Sequence, residues 1–321
     1  MLEVLTTMCE RLIAMTQYVI GIDGGGSRSR LAAIDKDMKI LGRSESGPTN
    51  ISTETYEGVF FNIQNLLSEF CANSATSLQN CLAICIGSAG ASTGENAKMI
   101  TQIFRDIGYA GKLKVMNDAE LVLLTETNDE PGAIIISGTG SVGYAVDKEG
   151  TVFRAGGWGH IIDDGGSGYR IGMDAIKAAL MDFDGRGEKT LLTKMVEEFF
   201  GDIRLNRLTS YIYGNEFSKA KIAEIAMLVR SAASQGDSVA LGIELQAAKD
   251  LLLLARSLIK LACLDDHKIV LSGSILLHNE NIHRTFECEL RSAFPEMQIV
   301  RICEGAEIGA AHLAMRHYRR T

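Results

Sequence analysis

Two short glycine turns carry the residue types that phosphate chemistry asks for. Asp23-Gly24-Gly25-Gly26-Ser27-Arg28 follows the apolar run Tyr18–Ile22, and Ser137-Gly138-Thr139-Gly140-Ser141 follows Ala133–Ile136. Successive backbone N–H groups in such a turn form an anion-binding concavity. Glycine removes the Cβ that would hold a phosphate away, and Ser27 with Thr139 or Ser141 can add hydroxyl donors. Either turn alone reads equally well as an ordinary tight hairpin. Two of them in equivalent positions, with Gly24 and Gly138 114 residues apart, suit the two ends of a triphosphate.

Three further segments carry reactive or hydrogen-bonding groups. Asp118, in Val115-Met116-Asn117-Asp118-Ala119, follows a short strand and opens a helix. That place suits a helix N-cap and equally a carboxylate set to receive a hydroxyl proton. Gly156–Ser167 holds the only tryptophan, Trp158, and two consecutive acids, Asp163 and Asp164. It reads as a loop around a core Trp or as a loop that meets a polyhydroxylated ligand. The small-residue run Ser88–Ser92 is either a flexible turn or room for a substituent on that ligand.

The elements that must hold these groups repeat. Tyr18–Gly42 and Ala133–Gly156 share one pattern: apolar strand, glycine turn, alternating strand, Asp-Lys turn, third strand. Two similar halves follow from that repetition. Gly138-Thr-Gly-Ser-Val-Gly143 matches the dinucleotide fingerprint G-x-G-x-x-G, but the fingerprint needs a helix to start at the loop. Tyr144-Ala145-Val146 and the turn Asp147–Gly150 leave no room for one, and no P-loop motif occurs.

Beyond each meander, strands and helices alternate. Tyr56–Phe70 has helical apolar spacing, followed by strand Cys81–Gly87, helix Glu95–Ile107 and strand Lys112–Met116. A helix near Gly168–Met181 leads into the helix-rich stretch Thr190–Leu261. Strand Lys268–Ser272, helix Ile282–Phe294, strand Gln298–Ile302 and helix Ala306–Tyr318 close the chain. The alternation predicts an α/β protein with largely parallel pairing outside the hairpins. Pro131-Gly132 is the boundary expected between the halves.

Composition excludes whole classes of function. The 321 residues are 46% apolar and 22% charged, with a formal charge of -8. That is a globular composition, with no broad basic surface for nucleic acid or anionic lipid. No apolar run approaches the length of a membrane span. The first 16 residues lack the pattern of a secretory signal and show helix-like spacing at Leu5, Met8, Leu12 and Met15. The seven cysteines are scattered without metal-site spacing, as in a reduced cytoplasmic protein. Strand alternation would put Cys81 and Cys85 on one buried face.

Asp23–Arg28, Ser137–Ser141 and Leu271-Ser272-Gly273-Ser274, in this order, resemble the phosphate-1, phosphate-2 and adenosine segments of the sugar kinase/actin/heat-shock ATPase superfamily. Gly156-Gly157-Trp158-Gly159-His160 with Asp163-Asp164-Gly-Gly-Ser167-Gly-Tyr169 resembles the N-acetylglucosamine kinase branch, grouped with the BadF/BadG/BcrA/BcrD ATPases. The resemblance runs from about Tyr18 to the C-terminus, leaving residues 1–17 as an extension or a misassigned start. It implies two ribonuclease-H-like α/β domains of the actin/hexokinase type around a central cleft. The first would span 18–130, with a helix at about 306–321 packing back on it; the second would span 131–305 and carry a helical insertion.

The same resemblance implies ATP and Mg²⁺ as cofactors. Gly25, Gly26, Ser27, Gly138, Thr139, Gly140, Gly273 and Ser274 would hold the nucleotide, and Asp23 would face Mg²⁺ through water, as suits a strongly hydrated cation. Asp118 would be the base that takes the proton of the sugar hydroxyl. Asn50, Gly157, Trp158, Asp164 and Asp118 itself would bind the sugar; Asp163 stands where the family commonly has glycine. The implied activity is phosphorylation of the 6-hydroxyl of N-acetylglucosamine or a close relative (N-acetylmuramic acid, glucosamine), in a homodimeric cytoplasmic enzyme. One alternative is an ATP-driven activator of a 2-hydroxyacyl-CoA dehydratase, which needs cysteines for an iron–sulfur cluster. A sugar-sensing regulator would need a DNA-binding module, for which 17 N-terminal residues and a negative charge leave no place.

Overall fold

In the computed structural model, which describes residues 16–91, 94–201, 204–214, 217–302 and 305–320, strand β1 (Tyr18–Gly24) is buried along nearly its whole length. It lies at the centre of a five-stranded sheet with β2 (Ser29–Asp35), β3 (Ile40–Ser46), β4 (Cys81–Ser88) and β5 (Lys112–Asn117), in the order β3-β2-β1-β4-β5. The β1–β2 and β2–β3 pairs are antiparallel; β1–β4 and β4–β5 are parallel. Strands buried on both faces read as continuous apolar runs, which is why Val19–Ile22 does not alternate. The helix-like spacing at Leu5–Met15 falls outside the described residues.

Helix α1 (Tyr56–Asn73) starts at Thr55, whose side chain accepts from the Gly58 N–H at 3.1 Å. It lays Val59, Ile63, Leu66 and Phe70 against Tyr18, Ile20 and Ile22, with the Tyr18 and Phe70 rings 5.4 Å apart edge-on. Helix α2 (Gly94–Asp106) adds Ile100, Ile103 and Phe104 to the same core. Helix α3 (Asp118–Glu126) and the last helix, Ala306–Arg319, pack on the other side of the sheet. The last helix passes so close to β1 that a Cβ on Gly21 would stand 2.0 Å from the Ala311 nitrogen, so only glycine fits there.

Cys81 and Cys85 do not share a face, contrary to the alternation argument. The β1–β4 register shifts between Tyr18 and Val19, pairing Tyr18 with Cys81 but Val19 with Ala83. The bulge absorbs one residue. Cys81 then joins Ile84 and Ile86 in the α1/α2 core, whereas Cys85 sits opposite Gly21 on the far face. Burial pushes both thiols up to about 12.

The second unit repeats the plan. Strands β6 (Gly132–Ser137), β7 (Ser141–Val146) and β8 (Val152–Gly156) form the antiparallel meander, and β9 (Lys268–Ser272) and β10 (Gln298–Arg301) add in parallel, in the order β10-β9-β6-β7-β8. Helix α4 (Gly168–Phe183) opens at Ser167, which caps the Arg170 N–H. The helix-rich stretch comprises α5 (Leu192–Phe200), α6 (Leu208–Ile212), α7 (Lys219–Glu224), α8 (Ala226–Ser234) and α9 (Ser238–Ala262). Asp237 caps α9 by accepting from Ala240 N–H at 2.9 Å. Leu251, Ala255 and Leu258 of α9 pack in one core with Ile135 and Ala145 of the sheet. Helices α10 (Ser274–His278) and α11 (Glu280–Ala293) connect β9 to β10, and the last helix is α12.

The chain divides into two compact units, one of residues 1–130 with 302–321 and one of 131–301. Among the described residues, no helix is long and apolar enough to cross a membrane.

Candidate active site

In the first unit, the turn after β1 closes through a Gly25 N–H to Arg28 C=O bond of 3.1 Å. Thr49 N–H donates to Gly25 C=O at 3.2 Å and Ala89 N–H to Gly24 C=O at 2.8 Å, pinning the turn to the 47–50 and 88–91 loops. Gly26 and Ser27 are exposed. Asn50 lies beside Gly26, where a Cβ would come 3.8 Å from Asn50 Nδ2. Its Oδ1 accepts from Ser52 N–H at 3.0 Å and faces Gly90, where a Cβ would stand 2.5 Å away. The Ser88–Ala91 segment therefore backs Asn50, a role that its small side chains did not announce.

Asp118 is the first residue of α3, and its neighbour Asn117 is the cap: Asn117 Oδ1 accepts from Ala119 N–H at 2.9 Å. This corrects the N-cap reading of Asp118. Asp118 Oδ1 also accepts from Ala119 N–H at 2.9 Å, and burial raises its pKa above the ordinary carboxylate range. Burial raises Asp23 as well, and the nearby Glu307 and Asp118 carboxylates push it further, against the pull of Arg30 and Arg28. Buried Glu307 Oε2 has no hydrogen-bond partner. Crowded carboxylate oxygens of this kind fit a divalent cation that keeps part of its water and takes phosphate oxygens. They do not make an all-protein cage: no group of three or more His, Cys, Asp or Glu is arranged around a metal among the described residues.

In the second unit, Gly138 N–H donates to Gly140 C=O at 2.9 Å, and the turn docks on the start of α4. Gly168 N–H donates to Gly138 C=O at 2.8 Å and Tyr169 N–H to Thr139 C=O at 3.2 Å. Ser141 is not available as a ligand donor. Its hydroxyl is spent on Gly165 C=O at 2.8 Å, as Ser137 is spent on Gly166 C=O at 2.8 Å. Thr139 is thus the hydroxyl left to the turn.

Gly138, Thr139 and Ser274 line one cavity of about 480 Å³ with Ala223, Met227 and Ile275. Glu224, Arg230, His278 and Asn279 supply its polar lining. Glycine is obligatory at 273: φ is +89°, and a Cβ would stand 2.2 Å from Ser137 C=O oxygen. The close approach brings α10 beside the β6 turn. The α7–α8 wall of the cavity came from the helix-rich stretch, where amphipathic spacing hid it.

The loop Gly156–Ser167 splits into two parts. Trp158 is 66% exposed, so it is not a core residue. The Arg154 guanidinium lies over its ring at 4.8 Å, Arg154 Nη2 donates to Gly157 C=O, and Asp163 Oδ2 accepts from Trp158 N–H at 3.4 Å. Asp164, by contrast, is only 3% exposed, with φ +63°. Its Oδ2 accepts from Lys219 Nζ at 2.9 Å. His160 is held in an aromatic group with Tyr169 (4.9 Å) and Phe217 (6.1 Å). Lys219 was missed from sequence because 55 residues separate it from Asp164.

The family model for the BadF/BadG/BcrA/BcrD ATPases matches residues 20–314. An N-acetylmuramic acid/N-acetylglucosamine kinase of Clostridium acetobutylicum is 39% identical over 300 residues, 93% of this chain and 98% of that protein. A solved protein of Chromobacterium violaceum superposes with a TM-score of 0.71 at 24% identity, covering 94% and 99% of the two chains. A ROK family glucokinase of Streptomyces griseus, solved with glucose and AMPPNP, superposes at 0.55 and 17% identity, covering 93% and 99%. The last two show the fold alone, a two-sheet α/β architecture of the actin/hexokinase type. With its paired glycine turns and a family match over nearly its whole length, the chain belongs to the BadF/BadG/BcrA/BcrD ATPase family.

Proposed function

We propose that this protein is an ATP-dependent amino-sugar kinase that phosphorylates the 6-hydroxyl of N-acetylglucosamine or N-acetylmuramic acid. The observation that carries the reading is the 39% identity with a kinase of that name across 98% of its length. The site supports it from chemistry. Phosphoryl transfer asks a protein mainly for positioning and charge stabilisation, and a sugar hydroxyl also needs a proton acceptor.

In this reading Asp118 accepts the proton of the attacking hydroxyl. Burial suits it to the task by raising its proton affinity, while the Ala119 N–H fixes the position of Oδ1. The turns Gly25–Ser27 and Gly138–Gly140 hold the phosphates, with the Thr139 hydroxyl as an added donor. The 480 Å³ cavity takes the nucleoside, its base against Ala223, Met227 and Ile275. Asp23 would hold hydrated Mg²⁺, which would offset phosphate charge. Asn50, Gly157, Trp158 and Asp164 orient the sugar; hydroxyls left unpaired would cost affinity.

The dehydratase-activator alternative is less supported. Cys81 and Cys85 are buried on opposite faces of β4 and cannot share one cluster. The test is ADP release with ATP and Mg²⁺ across N-acetylglucosamine, N-acetylmuramic acid, glucosamine and glucose. Turnover should be greatest with an N-acetylated amino sugar; turnover with none of the four refutes the reading.

A further inference from the structure

Lys219 has no role in the reading above. It opens α7 next to Ser218, whose hydroxyl caps the Lys221 N–H at 3.3 Å. Its side chain is 33% exposed, while the Asp164 side chain it pairs with is 4% exposed. The same ammonium lies 3.3 Å from where a Cβ on Gly140 would stand, and Asp164 Oδ2 lies 3.0 Å from that point. The Tyr169 ring is 6.0 Å away on another side. So a half-buried cation sits directly against the glycine turn, carried there by a helix distant in sequence.

Stability alone does not account for such a pair. A buried ion pair costs desolvation that its attraction only just repays, and apolar residues of like volume often do as well. An ammonium has three N–H donors, and Asp164 takes one. Lysine serves phosphate as a compact point charge, and a cation aimed where charge builds up during transfer is worth most in a site sheltered from water.

We propose that Lys219 is a phosphate-contacting residue of the kinase site: docked on Asp164 against Gly140, its ammonium binds the terminal phosphate of ATP and links the phosphate turn to the sugar-facing loop. This rests on the kinase reading. Lys219 gains and loses no proton; the phosphoryl group passes from the ADP oxygen to the sugar oxygen while the ammonium offsets its charge.

The test compares ATP and ADP binding, measured by calorimetry without sugar, in the wild type and in Lys219→Gln and Lys219→Arg. A contact with the terminal phosphate predicts that Lys219→Gln weakens ATP about tenfold, the worth of one charge-assisted hydrogen bond, and ADP by less than threefold. Lys219→Arg should recover most of the difference. If Lys219→Gln leaves the ATP/ADP affinity ratio unchanged and raises only the KM for sugar, Lys219 merely props Asp164 and the proposal falls. Should Lys219→Gln fold poorly, the double variant Lys219→Gln/Asp164→Asn removes the stranded charge and is read by the same ratio. Because the ratio needs no turnover, it separates this inference from the kinase reading, which fails on its own if wild type binds ATP but phosphorylates no sugar. Wild type that binds no ATP overturns both.

Discussion

Asp118→Asn separates base from scaffold in one substitution. The local scaffold survives it: Asn117, not Asp118, caps α3, and an Asn oxygen at 118 can keep the 2.9 Å bond from Ala119 N–H. What disappears is the ability to accept the hydroxyl proton. A positioned general base contributes about 10²–10⁴-fold, equivalent to about 2.7–5.5 kcal/mol of barrier. The expected kcat is therefore at most about one hundredth of wild type, with KM for ATP nearly unchanged. Stability should move the other way. The desolvation that raises the Asp118 pKa disfavours its charged form, so the neutral amide should raise the melting temperature or leave it alone. The assay is coupled ADP release with saturating sugar, alongside a thermal melt. A variant retaining more than about a third of wild-type kcat would refute the assignment of Asp118 as base.

Other outcomes follow from neighbouring groups. Thr139→Val, which keeps volume but removes the one uncommitted hydroxyl of the second turn, should raise KM for ATP about tenfold, the effect of about 1.4 kcal/mol; a Ser141→Ala control should act on stability instead. Gly273→Ala forces a side chain into Ser137 at φ +89° and should lower stability by at least about 2 kcal/mol by urea melt, more than any ordinary surface change. Asn117→Ala deletes the α3 cap and should cost about 1 kcal/mol, read by the same melt. In metal-free buffer, Asp23 and Asp118 have folded pKa values above their unfolded values of about 3.9. The folded state then binds more protons, so stability falls as pH rises through that window; Asp23→Asn/Asp118→Asn should flatten the slope, and an unaltered slope would place the titration elsewhere.

Local pattern was enough for the elements of this chain and for their repetition. Apolar periodicity and turn residues act within a few positions, so α1, β9 and the two meanders are legible without any tertiary knowledge. The matching strand orders, β3-β2-β1-β4-β5 and β8-β7-β6-β9-β10, follow once each meander is extended by parallel strands. The glycine turns and the Gly156–Ser167 loop likewise stand out, because glycine and tryptophan are conspicuous in sequence. Only the folded chain decided which groups they meet. A bulge opposite Tyr18 sent Cys81 and Cys85 to opposite faces, a one-residue shift that alternation cannot foresee. Helix α3 begins at Asp118 rather than after it, which gave the cap to Asn117. Ser141 was claimed by Gly165, and Asp164 was paired with Lys219 from 55 residues away. Hydrogen bonds and ion pairs depend on distances of a few ångströms, and the chain brings such partners together only when its distant segments pack.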